Sequence, residues 1–127
     1  NLEIVSPEKS FLKKDDVTEV VVPAFEGEMG ILKDHISIIS FLKPGIIKVF
    51  SGNEEEKFYV DDGIVEFKDN ALSILTSNIF DIKNSDKAKI QEMIKQAESD
   101  LSEQNLDDQK KFIISQKVEV LKSLSLN

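Results

Sequence analysis

Glycine and proline are confined to the first half of this 127-residue chain, where all five glycines and all three prolines lie before Ile64. They are Pro7, Pro23, Gly27, Gly30, Pro44, Gly45, Gly52 and Gly63. Because these two residue types interrupt regular backbone structure most strongly, the first half is expected to turn often. From residue 85 onward nothing interrupts a helix. The sequence therefore predicts a β-rich body that carries a helical tail.

The first half reads as a series of short strands. Residues 17–22 are rich in β-branched side chains, which suit a pleated and half-buried surface. The turn signals are Pro44-Gly45, Gly52-Asn53, Asp62-Gly63 and Asp69-Asn70, and the second and third of these predict hairpins. Such spacing, without a long helical pattern, is typical of a β-sandwich or barrel, and we predict a β-sandwich domain over residues 1–84. The other predicted strands are 2–5, 36–41, 46–50, 58–60, 64–67 and 71–75.

The tail changes to a helical period. Ser85 or Asp86 is the expected N-cap of a first helix, and Asn105 that of a second. Lys122 would lie near the negative end of the second helix. We therefore predict an antiparallel two-helix hairpin over residues 85–127. The apolar positions at three- and four-residue steps are Ile90, Met93, Ile94, Ala97 and Leu101, followed by Ile114, Val118 and Leu121.

Two helices of about 20 residues bury little surface against each other. The hairpin must therefore dock on the sandwich, on a partner, or on each in turn. Composition does not choose among these three arrangements.

The charge balance excludes several kinds of partner. The net charge of −8 argues against nucleic acid and against an anionic membrane surface. All 16 basic residues are lysines, so the chain has no guanidinium group to clamp a phosphate in two places. No apolar run approaches the roughly 20 residues that cross a bilayer, so we expect no direct membrane insertion.

The sequence offers little for catalysis. His35 is the only histidine, and beside Asp34 it is the one candidate acid–base pair. No nucleophile motif accompanies it, and a second histidine or a cysteine for a metal site is lacking. Asp61-Asp62 reads as part of a turn rather than a cation site. We expect no catalytic residue, no bound metal and no cofactor.

The segment from Glu26 to Ile31, with the sequence Glu-Gly-Glu-Met-Gly-Ile, differs from an ordinary turn. Two glycines three residues apart allow the chain to double back tightly, while Glu26, Glu28 and Met29 project from it. The residues alone leave two interpretations open. One is a simple connection between strands, and the other is a contact loop at one end of the sandwich.

This segment, followed by His35, resembles the signature loop of the epsilon subunit of rotary ATP synthases, whose mitochondrial counterpart is called delta. Residues 42–47 and 59–66 resemble two further segments of that family, in the same order along the chain. The opening residues 2–8 are similar to its first strand. The resemblance covers nearly the whole chain, including a sandwich followed by a helical hairpin.

The resemblance implies a non-catalytic rotor subunit in the central stalk of a proton-translocating ATP synthase. Such a subunit binds the gamma subunit, rests on the ring of c subunits, and couples rotation to ATP synthesis. It would be peripheral on the cytoplasmic face of the bacterial plasma membrane. Glu28 is the expected contact with the polar loops of the ring, and the ring-facing set is Glu26, Gly27, Glu28, Met29, Gly30 and His35.

The resemblance also implies a role for the hairpin. In bacterial members it can leave the sandwich, extend along gamma towards the catalytic alpha and beta subunits, and obstruct ATP hydrolysis. Basic side chains contribute to that contact, and here they are lysines, so we expect modest inhibition. The candidate inhibitory residues are Lys110, Lys111, Lys117 and Lys122.

Some relatives bind ATP on the hairpin through an Ile/Leu-Asp-x-x-Arg-Ala element. This chain departs from the element at Lys83, Asp86 and Lys87, where the acid and the arginine are missing from their places. We therefore expect weak or no ATP binding by the isolated chain.

Two other functions remain as alternatives at this point. The first is a stand-alone acidic β-sandwich module that binds a ligand. The second is an acid–base enzyme built on His35 and Asp34. Both predict a free monomer, whereas the rotor subunit predicts a stable complex with gamma.

Overall fold

The computed structural model describes residues 2–6, 9–14, 17–32, 37–69, 71–103 and 105–125. Within these ranges ten strands precede a short 3₁₀ helix and two α-helices, which confirms the predicted sandwich with a helical hairpin. The strands are β1 Leu2–Ser6, β2 Lys9–Lys14, β3 Glu19–Ala24, β4 Gly27–Leu32, β5 Ile38–Leu42, β6 Gly45–Ser51, β7 Glu54–Val60, β8 Gly63–Lys68, β9 Ala71–Thr76 and β10 Ile79–Asp81. The 3₁₀ helix is Ile82–Asn84, and the α-helices are α1 Lys87–Leu101 and α2 Asp108–Ser125.

One continuous sheet curls over to make both layers of the sandwich. One layer has the order β2-β1-β9-β8-β5, and the other has the order β10-β7-β6-β3-β4. The layers join at a corner where Ala24 of β3 pairs with Leu42 of β5. A hydrogen bond from the Lys43 amide to the Pro23 carbonyl, 3.0 Å long, extends this corner. Among the described strand pairs only β1 and β9 run parallel.

The core lies between the two layers because alternate residues of each strand point inward. Strand β6 shows this most regularly, with every second residue buried from Gly45 to Ser51. Burying a large aliphatic or aromatic side chain contributes about 1.5–3 kcal/mol, so this shared core is what holds the layers together. Its buried members are Val20, Val22, Ile31, Leu42, Ile47, Val49, Phe58, Val60, Val65, Phe67, Leu72 and Ile74.

Two of the predicted turns are hairpins and one is not. Gly52-Asn53 joins β6 to β7, where Ser51 pairs with Glu54 and Gly52 has a φ of 62°. Asp69 begins the turn between β8 and β9, also with a positive φ. The predicted hairpin at Asp62-Gly63 is wrong, because β7 and β8 belong to different layers. The chain crosses from one layer to the other at this point.

Gly63 is required by packing rather than by a turn. A Cβ at this position would collide with the backbone carbonyl of Leu75 on the neighbouring strand β9. The other crossing, from β5 to β6, has a similar constraint, since a Cβ on Gly45 would lie 2.7 Å from the Cβ of Pro23. Close approach of the backbone therefore explains a glycine at each crossing.

The helix ends agree with the sequence at two of the three predicted points. Asp86 caps α1, as one of its two predicted caps, and its Oδ1 accepts from the Ala88 amide at 2.9 Å. Lys122 lies in the last turn of α2 as predicted. The predicted cap at Asn105 is wrong, because Asp107 Oδ1 accepts from the Lys110 amide at 2.8 Å. Neither helix is long and apolar enough to cross a membrane, judged on the described residues.

Replacing Gly63 with alanine is expected to lower the free energy of unfolding by about 1–3 kcal/mol, because the obstructing atom is backbone and cannot turn aside. Urea denaturation of the chain measures this. The matched control is Gly52→Asn, at an open turn position with a φ of 62° that asparagine tolerates. The control should cost less than about 1 kcal/mol, because only the positive φ opposes the new side chain. Equal effects of the two substitutions would contradict the packing explanation.

Candidate functional site

The helical hairpin docks on the outer face of the layer that contains β7. Phe58 and Val60 point into the sandwich core, so Tyr59 between them points out of it. Tyr59 is nevertheless fully buried, because the hairpin covers it and Phe80 of the paired strand β10 stacks on its ring at 5.0 Å. The buried hairpin residues of this docking cluster are Ile90, Ile94 and Leu121, with Met93, Val120 and Leu124 packed around them.

A polar network borders the docking cluster. The Tyr59 hydroxyl donates to Asp61 Oδ1 at 2.8 Å. The Nζ of Lys117, on α2, lies 3.4 Å from both carboxylate oxygens of Asp61. The Thr76 hydroxyl donates to the backbone carbonyl of Asp61 at 3.2 Å and fixes the residue in place. Asp61, in the two-residue connection between β7 and β8, therefore joins the sandwich to the hairpin, and the interpretation of Asp61-Asp62 as a turn did not include this contact.

Burial raises the pKa of Tyr59 well above its ordinary value of about 10. The negative charge of Asp61 and the hydrogen bond to it act in the same direction, followed by the charge of Asp62. The neutral phenol is consequently the form that fits the docked hairpin.

A second contact lies nearer the beginning of α2. The rings of Phe112 and Phe25 are 5.9 Å apart, inclined at 31°. Phe25 is in the two-residue turn between β3 and β4, where Ala24 pairs with Gly27. Helix α2 therefore runs from the Tyr59 cluster to this turn.

The candidate ring-facing segment is a turn and a strand. Phe25 and Glu26 form the turn, and Gly27 opens β4 with a φ of 134°, which favours glycine. Strand alternation then exposes Glu28 and Gly30, whereas Met29 packs against the core. The expectation that Met29 projects is wrong for this reason. His35 and Asp34 lie outside the described residues.

An exposed apolar row crosses the outer face of the other layer. Phe41 on β5 pairs with Ile64 on β8, and Ile64 pairs with Leu75 on β9, so the three side chains stand in line. They are 67%, 37% and 50% exposed, and Ile39 extends the row along β5. Contiguous apolar surface of this kind marks interaction sites. The row was not predicted from the sequence, although the apolar pairs on either side of Ser40, at 38–39 and 41–42, were a signal that both faces of β5 need cover.

A groove of about 590 Å³ separates the row from α2. Phe41 and Ile64 form its sheet side, and Gln109 and Ile113 form its helix side. The open apolar face therefore continues up to the hairpin.

The candidate inhibitory lysines do not share one environment. Lys117 is partly buried against Asp61, and Lys122 lies 3.2 Å from Glu98 of α1. Lys110 and Lys111 are exposed near the beginning of α2. The structure thus distinguishes Lys117, which pairs with the sandwich, from Lys122, which pairs within the hairpin, and from the exposed Lys110 and Lys111.

The positions that depart from the ATP-binding element lie between β10 and α1. Lys83 and Lys87 are exposed, and the carboxylate of Asp86 is used to cap α1. The backbone amide of Lys83 donates to Asp81 Oδ1 at 3.0 Å. Weak or absent ATP binding stays a prediction.

Comparison with known proteins gives consistent matches. The model of the ATP synthase delta/epsilon chain beta-sandwich domain matches residues 1–82. An ATP synthase epsilon chain of Pelagibacter ubique is 66% identical over 124 residues, covering 98% of this chain and 95% of the relative. ATP synthase epsilon chain 2 of Nitrobacter hamburgensis is 30% identical over 108 residues, covering 85% and 79%.

Solved structures share the fold at lower identity. A chain in the cryo-EM structure of the Euglena gracilis mitochondrial ATP synthase with its c-ring has a TM-score of 0.72 and 22% identity, covering 98% of this chain and 78% of that one. A chain from the central stalk and c-ring of the Tetrahymena thermophila enzyme has a TM-score of 0.66 and 19% identity, covering 98% and 94%. At these identities the likeness concerns the fold.

Tyr59 is expected to resist ionisation while the hairpin is docked. The chain has one tyrosine and no tryptophan, so the ultraviolet absorbance of phenolate reports this residue alone. Because the folded pKa is raised, the contribution of the neutral phenol to stability is complete below about pH 10 and is lost as the pH rises above that value. Phenolate should therefore appear together with loss of circular dichroism rather than before it. Titration in urea supplies the unperturbed control, and an ordinary titration near pH 10 with the fold intact would contradict the docking geometry.

Proposed function

Since this chain belongs to the ATP synthase delta/epsilon family, we propose that it is the non-catalytic central-stalk subunit of a proton-translocating ATP synthase. In this function it binds gamma and the c-ring, and couples rotation of the ring to ATP synthesis in the catalytic alpha and beta subunits. The exposed apolar row of Phe41, Ile64 and Leu75 is the observation that carries the proposal, because contiguous apolar surface open to solvent marks an interaction site.

The row is the proposed docking site for gamma. It lies on paired strands that pack on the sandwich core. The surface is therefore preformed, and little conformational entropy is lost when a partner binds. Apolar side chains that become fully desolvated at the centre of an interface supply most of its binding energy. Association with gamma would cover the layer that the hairpin leaves open.

The turn between β3 and β4 is the proposed contact with the c-ring. Glu26 and Glu28 are exposed at this end of the sandwich, and Gly27 allows the reversal that presents them. Carboxylates in such a position suit the polar loops of a ring of c subunits. In this proposed function the chain is a peripheral component on the cytoplasmic face of the bacterial plasma membrane.

The hairpin is the proposed inhibitory element. Helix α2 has 18 residues and spans about 27 Å, which is long enough to reach along gamma once released. Lys110 and Lys111 are exposed at its beginning and are available for acidic segments of the catalytic subunits. Lysine binds such segments less specifically than arginine, which is why the proposed inhibition is modest.

Placing a charge in the row should weaken binding to gamma. We expect Phe41→Asp to raise the Kd of the complex with purified gamma by about 10- to 100-fold, because the carboxylate would be buried without a partner. Isothermal titration calorimetry measures the Kd. Circular dichroism should be unchanged, since Phe41 is 67% exposed in the free chain.

The matched control is Leu32→Asp, at an exposed apolar side chain on β4 rather than in the row. It should bind gamma like the parent. If both variants bind normally, gamma does not use the row. If the parent chain fails to bind gamma at all, the stand-alone ligand-binding module becomes the better interpretation.

Removing residues 86–127 should raise ATP hydrolysis by the assembled enzyme, by about twofold to tenfold for a modest inhibitor whose contribution is near 1 kcal/mol. The measurement is steady-state hydrolysis by complexes reconstituted with either form. Because the hairpin also covers Tyr59, retention of the truncated subunit in the complex must be verified. Unchanged hydrolysis with the subunit present would mean that the hairpin is structural only.

A further inference from the structure

We propose that Tyr59, Asp61 and Lys117 form a latch that sets how firmly the helical hairpin is held on the sandwich. The latch is a property of the isolated chain, and only its consequence for ATP hydrolysis rests on the proposed function. Lys117 is the moving part, because it belongs to α2, whereas Tyr59 and Asp61 belong to the sandwich.

The docking face of α2 explains why Lys117 has this role. Ile113, Lys117 and Leu121 follow each other at four-residue steps, so they lie along one side of the helix. Leu121 is fully buried in the docking cluster, and Ile113 lines the groove beside the apolar row. The ammonium group of Lys117 lies between them and pairs with Asp61, so the middle of the docking face makes a charged contact with the sandwich.

Burial of the Asp61 carboxylate favours the contact. Its side chain is 12% exposed, and a carboxylate in such surroundings needs partners to offset its desolvation. The Tyr59 hydroxyl supplies one hydrogen bond from the sandwich, and Lys117 supplies the opposite charge from the hairpin. Releasing the hairpin would remove the charged partner and expose the Tyr59 ring at the same time. The polar network and the apolar cluster therefore open together.

The latch also determines when Lys117 is available to a partner. While its ammonium group pairs with the Asp61 carboxylate, Lys117 cannot also pair with an acidic segment of another subunit. Binding of the hairpin to such a segment through Lys117 must therefore compete with Asp61. An acidic partner favours the released hairpin only to the extent that the partner binds the released form more tightly than the docked form.

Hydrogen exchange of the intact isolated chain tests the latch. Lys117→Gln should accelerate amide exchange in the middle of α1, around Ile94, by a factor on the order of ten, since a hydrogen bond to a charged group is lost. Amides of β3 and β6 should exchange as in the parent, because the sandwich core is untouched. Exchange in α1 identical to the parent would overturn the proposal, and so would equal acceleration in the helices and in the core strands.

The matched control is Lys122→Gln on the same helix. Lys122 pairs with Glu98 of α1 at 3.2 Å and is 55% exposed, so the same change of charge breaks a contact within the hairpin rather than a contact with the sandwich. Exchange at Ile94 should change less than twofold in this variant. Acceleration as large as that of Lys117→Gln would mean that charge on α2, and not the latch, sets the rate.

A double-variant cycle tests whether the groups act as one unit. Asp61→Asn keeps an oxygen that accepts from Tyr59 but removes the charge that Lys117 meets. The combination of Asp61→Asn with Lys117→Gln should accelerate exchange no more than the larger single effect. Independent, multiplying effects would refute the latch. These measurements need no other subunit, so the latch can stand even if removal of residues 86–127 leaves ATP hydrolysis unchanged.

Discussion

Strand β7 needs cover on both of its faces, and the placement of the helical tail follows from this need. Phe58, Tyr59 and Val60 are consecutive and buried, yet neighbouring side chains of a strand point in opposite directions. The sandwich core receives the first and third. The hairpin covers Tyr59 together with Phe80 of β10, while the hairpin in turn lacks a sufficient core of its own. Each part therefore supplies the surface that the other requires.

The opposite layer has the same requirement, and none of the described residues covers it in this way. Its outer face carries Phe41, Ile64 and Leu75 in line across three strands, all open to solvent. One layer is thus covered within the chain, and the other carries the apolar row that the proposed partner would cover. This asymmetry favours a subunit of an assembly, because contiguous exposed apolar surface marks interaction sites.

Local pattern predicted most strands of the core and both helices, because period and turn residues act over a few positions. It did not predict β4, whose residues were interpreted as a loop although Ile31 lies in the core. It failed at Asp62-Gly63, where the same dipeptide serves a crossing between layers instead of a hairpin. It also missed the contact of Asp61 with Lys117, which lie 56 residues apart in the chain. Whether these two residues pair depends on where the hairpin docks, and the sequence around either residue does not indicate the docking position. The apolar row was not predicted either. Strand β5 has apolar side chains on both faces, and only the tertiary structure decides which face remains open.

Helix α2 borders both the covered face and the open one. Leu121 and Lys117 contact the Tyr59 side, whereas Phe112 packs on Phe25 and Ile113 lines the groove beside the row. A partner seated on the row would therefore lie against α2 as well. Release of the hairpin would then change the edge of the partner's site, and binding of the partner would change the free energy of release by the same amount. With a partner on the row, the geometry of this single helix would make the position of the tail and the occupancy of the open face depend on each other.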